Sequence, residues 1–382
     1  MRDAVIQALV RHLCDSAPQY FDLNRCHPVK TELVGTHRRH GSTVYRFRVT
    51  AEGACHRVVV KVPGNSTPRT RPSDERAHTP DRPRLFPKAD IGVRAWLEHV
   101  TLTRMREYFE ALHDPRFGVV RILDFVPEHN AVVMKEVDEP QVAVLLKSAG
   151  RLRRPSSLAK VGDVFRHIGA WLRIYHGLPP LGHTRRRQHT RVEFVELTQA
   201  FTMFIAPEHA SETFLQTVST QVETVALATL PAELPLGMGH SDFAPHNCFA
   251  GAHGRVTVFD TVGRWQAPIF EDLGHFLVAL KSIVPHVQGR SLVFDNTAIR
   301  SLENAFVGGY FGSAPVPIMA IRLFEIQALL DRWCSMKYSL ERATGWRKAM
   351  KHSLTIGRAT FFRRYLEELV LDLPELARSS TV

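Results

Sequence analysis

One stretch of the chain is dense in oxygen donors at defined spacing: Gly239 to Asp260, GHSDFAPHNCFAGAHGRVTVFD. Within it His240, Asp242 and Asn247 form an HxDxxxxN loop, and a lone aspartate, Asp260, ends the short β-branched run Val256 to Phe259. Transfer of a phosphoryl group from a nucleotide asks little covalent work of a protein. It does ask for a carboxylate to hold the attacking hydroxyl and for two oxygen ligands to hold magnesium. Asp242, Asn247 and Asp260 are three suitable side chains, and their spacing alone says only that they could converge. The plainer reading is a turn capped by His240 and Asp242, with Asp260 ending a surface strand. A nucleophile elbow is excluded, because Gly239-His240-Ser241-Asp242 is followed by Phe243 where GxSxG needs glycine.

Such a loop needs a cation for the phosphates, and the first third of the chain offers one. Arg57 to Pro63, RVVVKVP, is a β-branched run with Lys61 in its middle. An ammonium in an apolar strand must find a polar partner, because an unpaired buried charge costs several kcal/mol. An outward-facing edge-strand lysine is the alternative. Upstream, Lys30 to Val49 reads as a half-buried hairpin, with Val44, Arg46 and Arg48 alternating against Tyr45, Phe47 and Val49. Its turn, GTHRRHGST, carries Gly35 and Gly41, whose backbone amides can approach an anion closely, together with Arg38, Arg39 and Ser42. Gly41 and Ser42 are the phosphate-covering candidates, although the pattern is not GxGxxG and two glycines in a turn are ordinary.

The remaining elements follow from periodicity. Ala4 to Leu13 and Ile91 to Leu112 have helical spacing, and Val119 to Phe125 and Ala131 to Met134 read as strands. Gly64 to Asp90 holds five prolines and almost no large apolar residues, so a flexible insertion is expected there. The pattern breaks at Asp138-Glu139-Pro140, and from Gln141 onward it is largely helical, including Val161 to Pro179, Glu193 to Leu230, Ile318 to Lys337 and Lys348 to Val370.

HSDFAPHN followed by VTVFD and then IFEDLGHFL resembles the aminoglycoside phosphotransferase, or antibiotic kinase-like, group, which shares the bilobal protein kinase-like fold. The resemblance spans residues 30 to 282 and is strongest from 239 to 277. It implies an α+β fold, with a small N-lobe of antiparallel sheet and helix over 1–137 and a larger, mainly helical C-lobe over 138–382. By the same resemblance Asp242 is the catalytic base, and Asn247 and Asp260 hold Mg2+. Lys61 contacts the α and β phosphates of ATP or GTP and pairs with a glutamate on the next helix. Glu107 fits that role best, with Glu98 and Glu110 open because one sequence does not fix the register. The backbone of Lys135 to Val137, at the hinge between lobes, would meet the base, and Asp272, near the start of a helix, would brace the catalytic loop. The chain departs from the protein-kinase DFG pattern at Asp260-Thr261-Val262, and TVGRWQAPIF leaves no room for a long activation loop or an APE motif. The second departure argues for a small-molecule kinase over a protein kinase, and the first gives no support for a DFG-type switch.

Composition sets the remaining bounds. A chain of 382 residues, 44% hydrophobic, can bury the cores of about two or three domains. The net charge of +11 favours anionic partners. Aminoglycosides are polycations, and the basic runs Arg151 to Arg154 and Arg185 to Arg191 fit them poorly. The expected acceptor is therefore a small-molecule hydroxyl compound, neutral or anionic rather than polycationic. Five cysteines without CxxC spacing suggest neither a disulfide framework nor a zinc knuckle, which suits a reducing cytoplasm. No signal-peptide h-region and no run of 18 apolar residues is present, so no transmembrane segment is expected. Nucleic acid is not an expected partner, since RNP, KH and helix-turn-helix signals are lacking. Two other classes stay open on sequence alone: a catalytically silent nucleotide-binding scaffold, and an anion- or nucleic-acid-binding protein.

Overall fold

The alternation in the first sixty residues builds an antiparallel sheet. In the computed structural model, which describes residues 2–24, 27–39, 41–64, 82–85, 90–152, 155–209, 212–282, 296–341, 343 and 346–379, helix α1 (Arg2–Phe21) precedes strands β1 (Lys30–Arg39), β2 (Ser42–Ala51) and β3 (Ala54–Pro63). Helix α2 (Ile91–Glu110) follows, and then strands β4 (Phe117–Val119), β5 (Ile122–Val126) and β6 (Ala131–Lys135). Strands β1, β2, β3, β6 and β5 form one sheet in that order. Tyr45, Phe47, Val49, Val58 and Val60 bury its inner face against Leu9, Leu13, Ala17 and Tyr20 of α1. That apolar stripe explains why α1 runs to Phe21, past the expected end at Leu13 and through Pro18.

The hairpin differs from its sequence reading. Strand β1 continues to Arg39, which pairs with Ser42, and Gly35 is absorbed in an irregularity of register after Leu33. Gly35 therefore lies within a strand, and only the tip around Gly41 remains as turn. The expected insertion near 64–90 falls mostly outside the described residues (65–81 and 86–89).

The chain divides into two compact units. The first comprises Met1–His78, Lys88–Glu139 and Thr257–Val262, and the second Thr79–Pro87, Pro140–Val256 and Gly263–Val382. A single cut after residue 137 does not describe this partition. The segment bearing Asp260 joins the first unit, where Val120 N–H donates to Val258 O at 3.3 Å.

The second unit is mainly helical. It contains α3 (Val142–Leu152), α4 (Pro155–His176), β7 (Arg185–Arg186), α5 (Arg191–His209), α6 (Glu212–Thr229), β8 (Leu236–Gly239) and β9 (Cys248–Ala250). Strand β10 (Val256–Val258) leads out to Asp260, and β11 (Trp265–Pro268) leads back into α7 (Ile269–Lys281), α8 (Asn296–Phe311), α9 (Ile318–Glu341) and α10 (Trp346–Ser379). Strand β11 pairs antiparallel with β8, Trp265 opposite Gly239. That register sets the first turn of α7 beside the loop that begins at His240. Helices α4 and α8 cross backbone to backbone: a Cβ on Gly169 would collide with Phe306 O, and one on Gly309 with Arg166 O. Among the described residues no helix is long and apolar enough to cross a membrane.

Candidate active site

Two groups of functional side chains are described, one in each unit. In the first, Lys61 lies on β3, opposite Val44 of β2 and Val132 of β6, and is 7% exposed. Its Nζ donates to Glu98 Oε1 at 2.8 Å and to Asp260 Oδ1. Burial alone would favour the neutral amine, but Asp260 and then Glu98 outweigh it and hold the Lys61 pKa above its ordinary value. Asp260 takes a left-handed backbone conformation, φ 67°, which turns it out of the extended path of β10. Arg94 approaches the same carboxylate at 3.8 Å.

The carboxylate that pairs with Lys61 is thus Glu98, and the preference for Glu107 is corrected. The buried stripe of α2 runs through Ala95, Glu98, Thr101, Leu102, Met105 and Phe109, the spacing of one helical face. Glu107 and Glu110 lie on the exposed face, where they pair with Arg104 at 2.9 Å and Arg106 at 2.6 Å.

Gly41 and Ser42 sit at the hairpin tip, with Gly64 N–H donating to Gly41 O at 2.9 Å and Ser42 opposite Pro63. The Arg39 side chain lies outside the described residues. At the expected hinge, Lys135 N–H donates to Arg121 O at 2.9 Å and Glu136 N–H to Arg57 O at 3.0 Å. The amide of Lys135 is therefore committed within the sheet, which leaves Val137 as the better hinge candidate.

In the second unit the HxDxxxxN loop hangs on one buried carboxylate. Asp272, 1% exposed in the first turn of α7, accepts from His240 N–H at 2.7 Å through Oδ2 and from Ser241 N–H at 3.2 Å through Oδ1. Ser241 is held in the left-handed region, φ 68°. Burial pushes the Asp272 carboxyl up, but His176, His240 and these bonds outweigh it and keep the pKa below its ordinary value. His176, closing α4, lies 3.3 Å from Asp272 and 2.7 Å from the Tyr310 hydroxyl on α8. The close α4–α8 crossing makes that last contact possible. His240 is itself fully buried amid Trp171, Tyr175 and Phe243, ring centroids 6.5, 5.8 and 5.3 Å away.

Asp242 follows this anchored pair, its side chain half exposed. Asn247 Nδ2 donates to Asp242 O at 2.9 Å and to Asp242 Oδ2 at 3.1 Å, which orients the carboxylate. The other end of the Asn247 amide, Oδ1, is buried without a hydrogen-bond partner. A buried carbonyl oxygen left open, on an amide whose nitrogen is spent, suits a hard cation. Asn247 and the carboxylate of Asp260 are both oxygen donors of the kind magnesium takes. His176, Tyr310 and Arg94 escaped the sequence reading. The HGLP that closes α4 was the available signal for His176, while nothing local marks Tyr310 or Arg94.

No protein-family model matches the sequence, and no curated protein matches it. Solved structures do match. A candidate aminoglycoside phosphotransferase from Ralstonia eutropha JMP134 aligns with 95% of this chain and 98% of its own, at 12% identity and a TM-score of 0.51. A spectinomycin phosphotransferase solved with ADP and spectinomycin aligns with 96% of this chain and 98% of its own, at 10% identity and a TM-score of 0.48. An ethanolamine kinase of Plasmodium vivax aligns with 88% of this chain and 83% of its own, at 10% identity and a TM-score of 0.48. At 12% identity, the likeness to the Ralstonia protein is one of fold. The fold is α+β and protein kinase-like, with the antiparallel sheet N-terminal and the helices C-terminal.

Proposed function

We propose that the chain is a nucleotide-dependent small-molecule kinase, moving the γ-phosphoryl group of ATP or GTP to a hydroxyl of a metabolite, sugar or glycan-type acceptor. The observation that carries this reading is Lys61, a buried ammonium on a central strand shared by Glu98 from a helix and Asp260 from a strand end. Lys61 would steady the α and β phosphates, and Glu98 would hold it in place. Gly41 and Ser42 would cover the phosphates, and the Val137 backbone would meet the base.

Asp242 would accept a hydrogen bond from the acceptor hydroxyl. As the new oxygen–phosphorus bond forms and the bond from γ-phosphorus to the bridging oxygen breaks, the hydroxyl proton passes to Asp242 and the nucleoside diphosphate leaves with the bonding pair. The transition state is loose, so the proton need not move early. Asp260 and Asn247 would hold magnesium, whose charge offsets that of the phosphates. Asp272 keeps the loop in register through the His240 and Ser241 amides, so its contribution is positional. The described cysteines, Cys14, Cys55, Cys248 and Cys334, are free thiols, which suits the reducing cytoplasm.

The test is ADP or GDP release by the purified chain with Mg2+ against a library of hydroxyl metabolites. Asp242→Asn should lower acceptor-dependent release by roughly a hundred- to ten-thousandfold, the span of general-base catalysis, with nucleotide affinity retained. Nucleotide consumption that no acceptor stimulates, or an Asp242→Asn variant as active as its parent, would sink the reading.

A further inference from the structure

Helix α2 carries a cation near the end where a helix least favours one. Its first turn holds no acidic residue, and Arg94 stands close to its amino end, where the helix dipole is positive. The N-cap, Asp90, is committed to Gly92 N–H at 2.9 Å. Two distances say where the Arg94 side chain lies instead. Its Nη2 is 3.8 Å from Asp260 Oδ1. Its Nη1 is 3.6 Å from the point where a Cβ on Gly41 would sit. The guanidinium thus reaches from the hairpin tip to the strand end that bears Asp260, and all three residues belong to one compact unit.

Lys61 and Arg94 share the Asp260 carboxylate unequally. The Lys61 ammonium is 9% exposed and donates to both Glu98 and Asp260, so its charge is matched within the fold. Arg94 feels the Asp260 charge from a distance too long for a hydrogen bond, and among the described residues its side chain makes none. A guanidinium carries five N–H donors in a rigid fork, and that of Arg94 is 32% exposed, open to a solute. The donors therefore sit uncommitted between the turn assigned to cover the phosphates and the carboxylate assigned to the metal.

We propose that Arg94 is a second phosphate-binding cation, which grips the terminal phosphates of the nucleotide between Gly41 and Asp260. The inference rests on the kinase reading above and adds to it a contact that Lys61 does not supply. A guanidinium meets a phosphate with two parallel hydrogen bonds. In kinases the metal-holding carboxylate belongs to the β and γ phosphates, so the contact falls on those groups and not on the α phosphate. The plain alternative is that Arg94 only offsets the charge of Asp260. The two roles differ in sign: removing a mere counter-ion would leave Asp260 freer for magnesium, and nucleotide binding would hold or tighten.

The test is calorimetric titration, in Mg2+, of β,γ-imido-ATP, ADP and AMP, and of their guanine counterparts, into the parent, Arg94→Lys and Arg94→Met. Arg94→Met should weaken the imido-triphosphate roughly tenfold or more and leave the monophosphate within about twofold, with the diphosphate between. Arg94→Lys keeps the charge and loses the fork, so it should fall between parent and Arg94→Met. Should Arg94→Met not fold, Arg94→Lys carries the contrast alone, weakening the triphosphate by about threefold or more and sparing the monophosphate. Triphosphate binding that is unchanged or tighter in Arg94→Met, or an equal loss for mono- and triphosphate, overturns the inference and leaves the kinase reading intact. A parent chain that binds none of these nucleotides removes the kinase reading and the inference with it. Triphosphate binding that depends on Arg94, in a chain that phosphorylates no acceptor, keeps the inference and removes the kinase.

Discussion

A lysine ammonium has three donors, and Lys61 spends one on Glu98 and one on Asp260 with 9% of its side chain in contact with water. Glu98 has no exposure at all, so deleting the cation strands a buried carboxylate. Lys61→Met should therefore cost about 3–5 kcal/mol in urea unfolding. Glu98→Gln keeps the shape but frees the lysine, and should weaken nucleotide binding in a calorimetric titration. Glu107→Gln should leave that affinity alone, since its side chain meets Arg104 at the surface. A different residue sets a pH dependence. Glu271 is 1% exposed and neither carboxylate oxygen has a hydrogen-bond partner. Burial pushes its pKa from an ordinary 4.5 up to about 8, Arg187 opposing and Asp272 and Asp331 adding. Between those values the folded chain keeps a proton that the unfolded chain has released, so stability should fall as pH rises through that window. Glu271→Gln should flatten the curve of melting temperature against pH there; an unchanged slope would show that Glu271 is ionised in the folded chain.

Helices α7, α8, α9 and α10 are tied by a knot of charge that no local sequence pattern announces. Lys281 bonds Glu325 at 2.6 Å and Glu303 at 3.0 Å, and Arg322 reaches both carboxylates. Tyr365 also donates to Glu325. Burial would raise the Glu325 pKa, but Lys281 and Arg322 win and keep it below its ordinary value. The stabilisation is therefore complete above the ordinary carboxylate range and is lost as pH falls through the folded value. Glu325→Ala should destabilise the chain by about 2–4 kcal/mol near neutrality, because two partly buried cations lose one of their two shared counter-ions. Its acid limb, followed by circular dichroism, should be shallower than the parent's. Helical spacing in Ile318 to Lys337 was readable without any partner, and so was the alternation of β2. The knot was not, because its members lie on four helices and only three-dimensional packing pairs them. The same limit explains Glu98. Three glutamates on one helix look alike until the buried stripe of α2 is known, and that stripe is set by the sheet it covers.

Across the whole molecule, what the sequence revealed was local and what it hid was distant. The loop from His240 to Asn247, the strand ending at Asp260 and the lysine in RVVVKVP all carry their chemistry in adjacent letters. The division into units does not, since Thr257–Val262 rejoins elements more than a hundred residues upstream, and Thr79–Pro87 joins the helical unit although it links β3 to α2. Composition alone described Gly64 to Asp90 as unable to order itself, yet the short segment 82–85 has specific partners. Arg82 and Leu85 N–H both bond Asp331, Leu85 is 1% exposed, and Arg84 lies over the Tyr338 ring at 5.9 Å. One leucine with one acidic anchor is too sparse a pattern to stand out among five prolines. It makes a sharp prediction nonetheless. Asp331→Ala removes the shared acceptor of two hydrogen bonds, each worth about 1 kcal/mol, so amide exchange in a peptide covering 82–85 should speed up by roughly tenfold or more. Peptides from β1, β2 and β3 should exchange as before. Faster exchange spread over those strands as well would mean that Asp331 supports the fold of both units and not the seat of this segment alone.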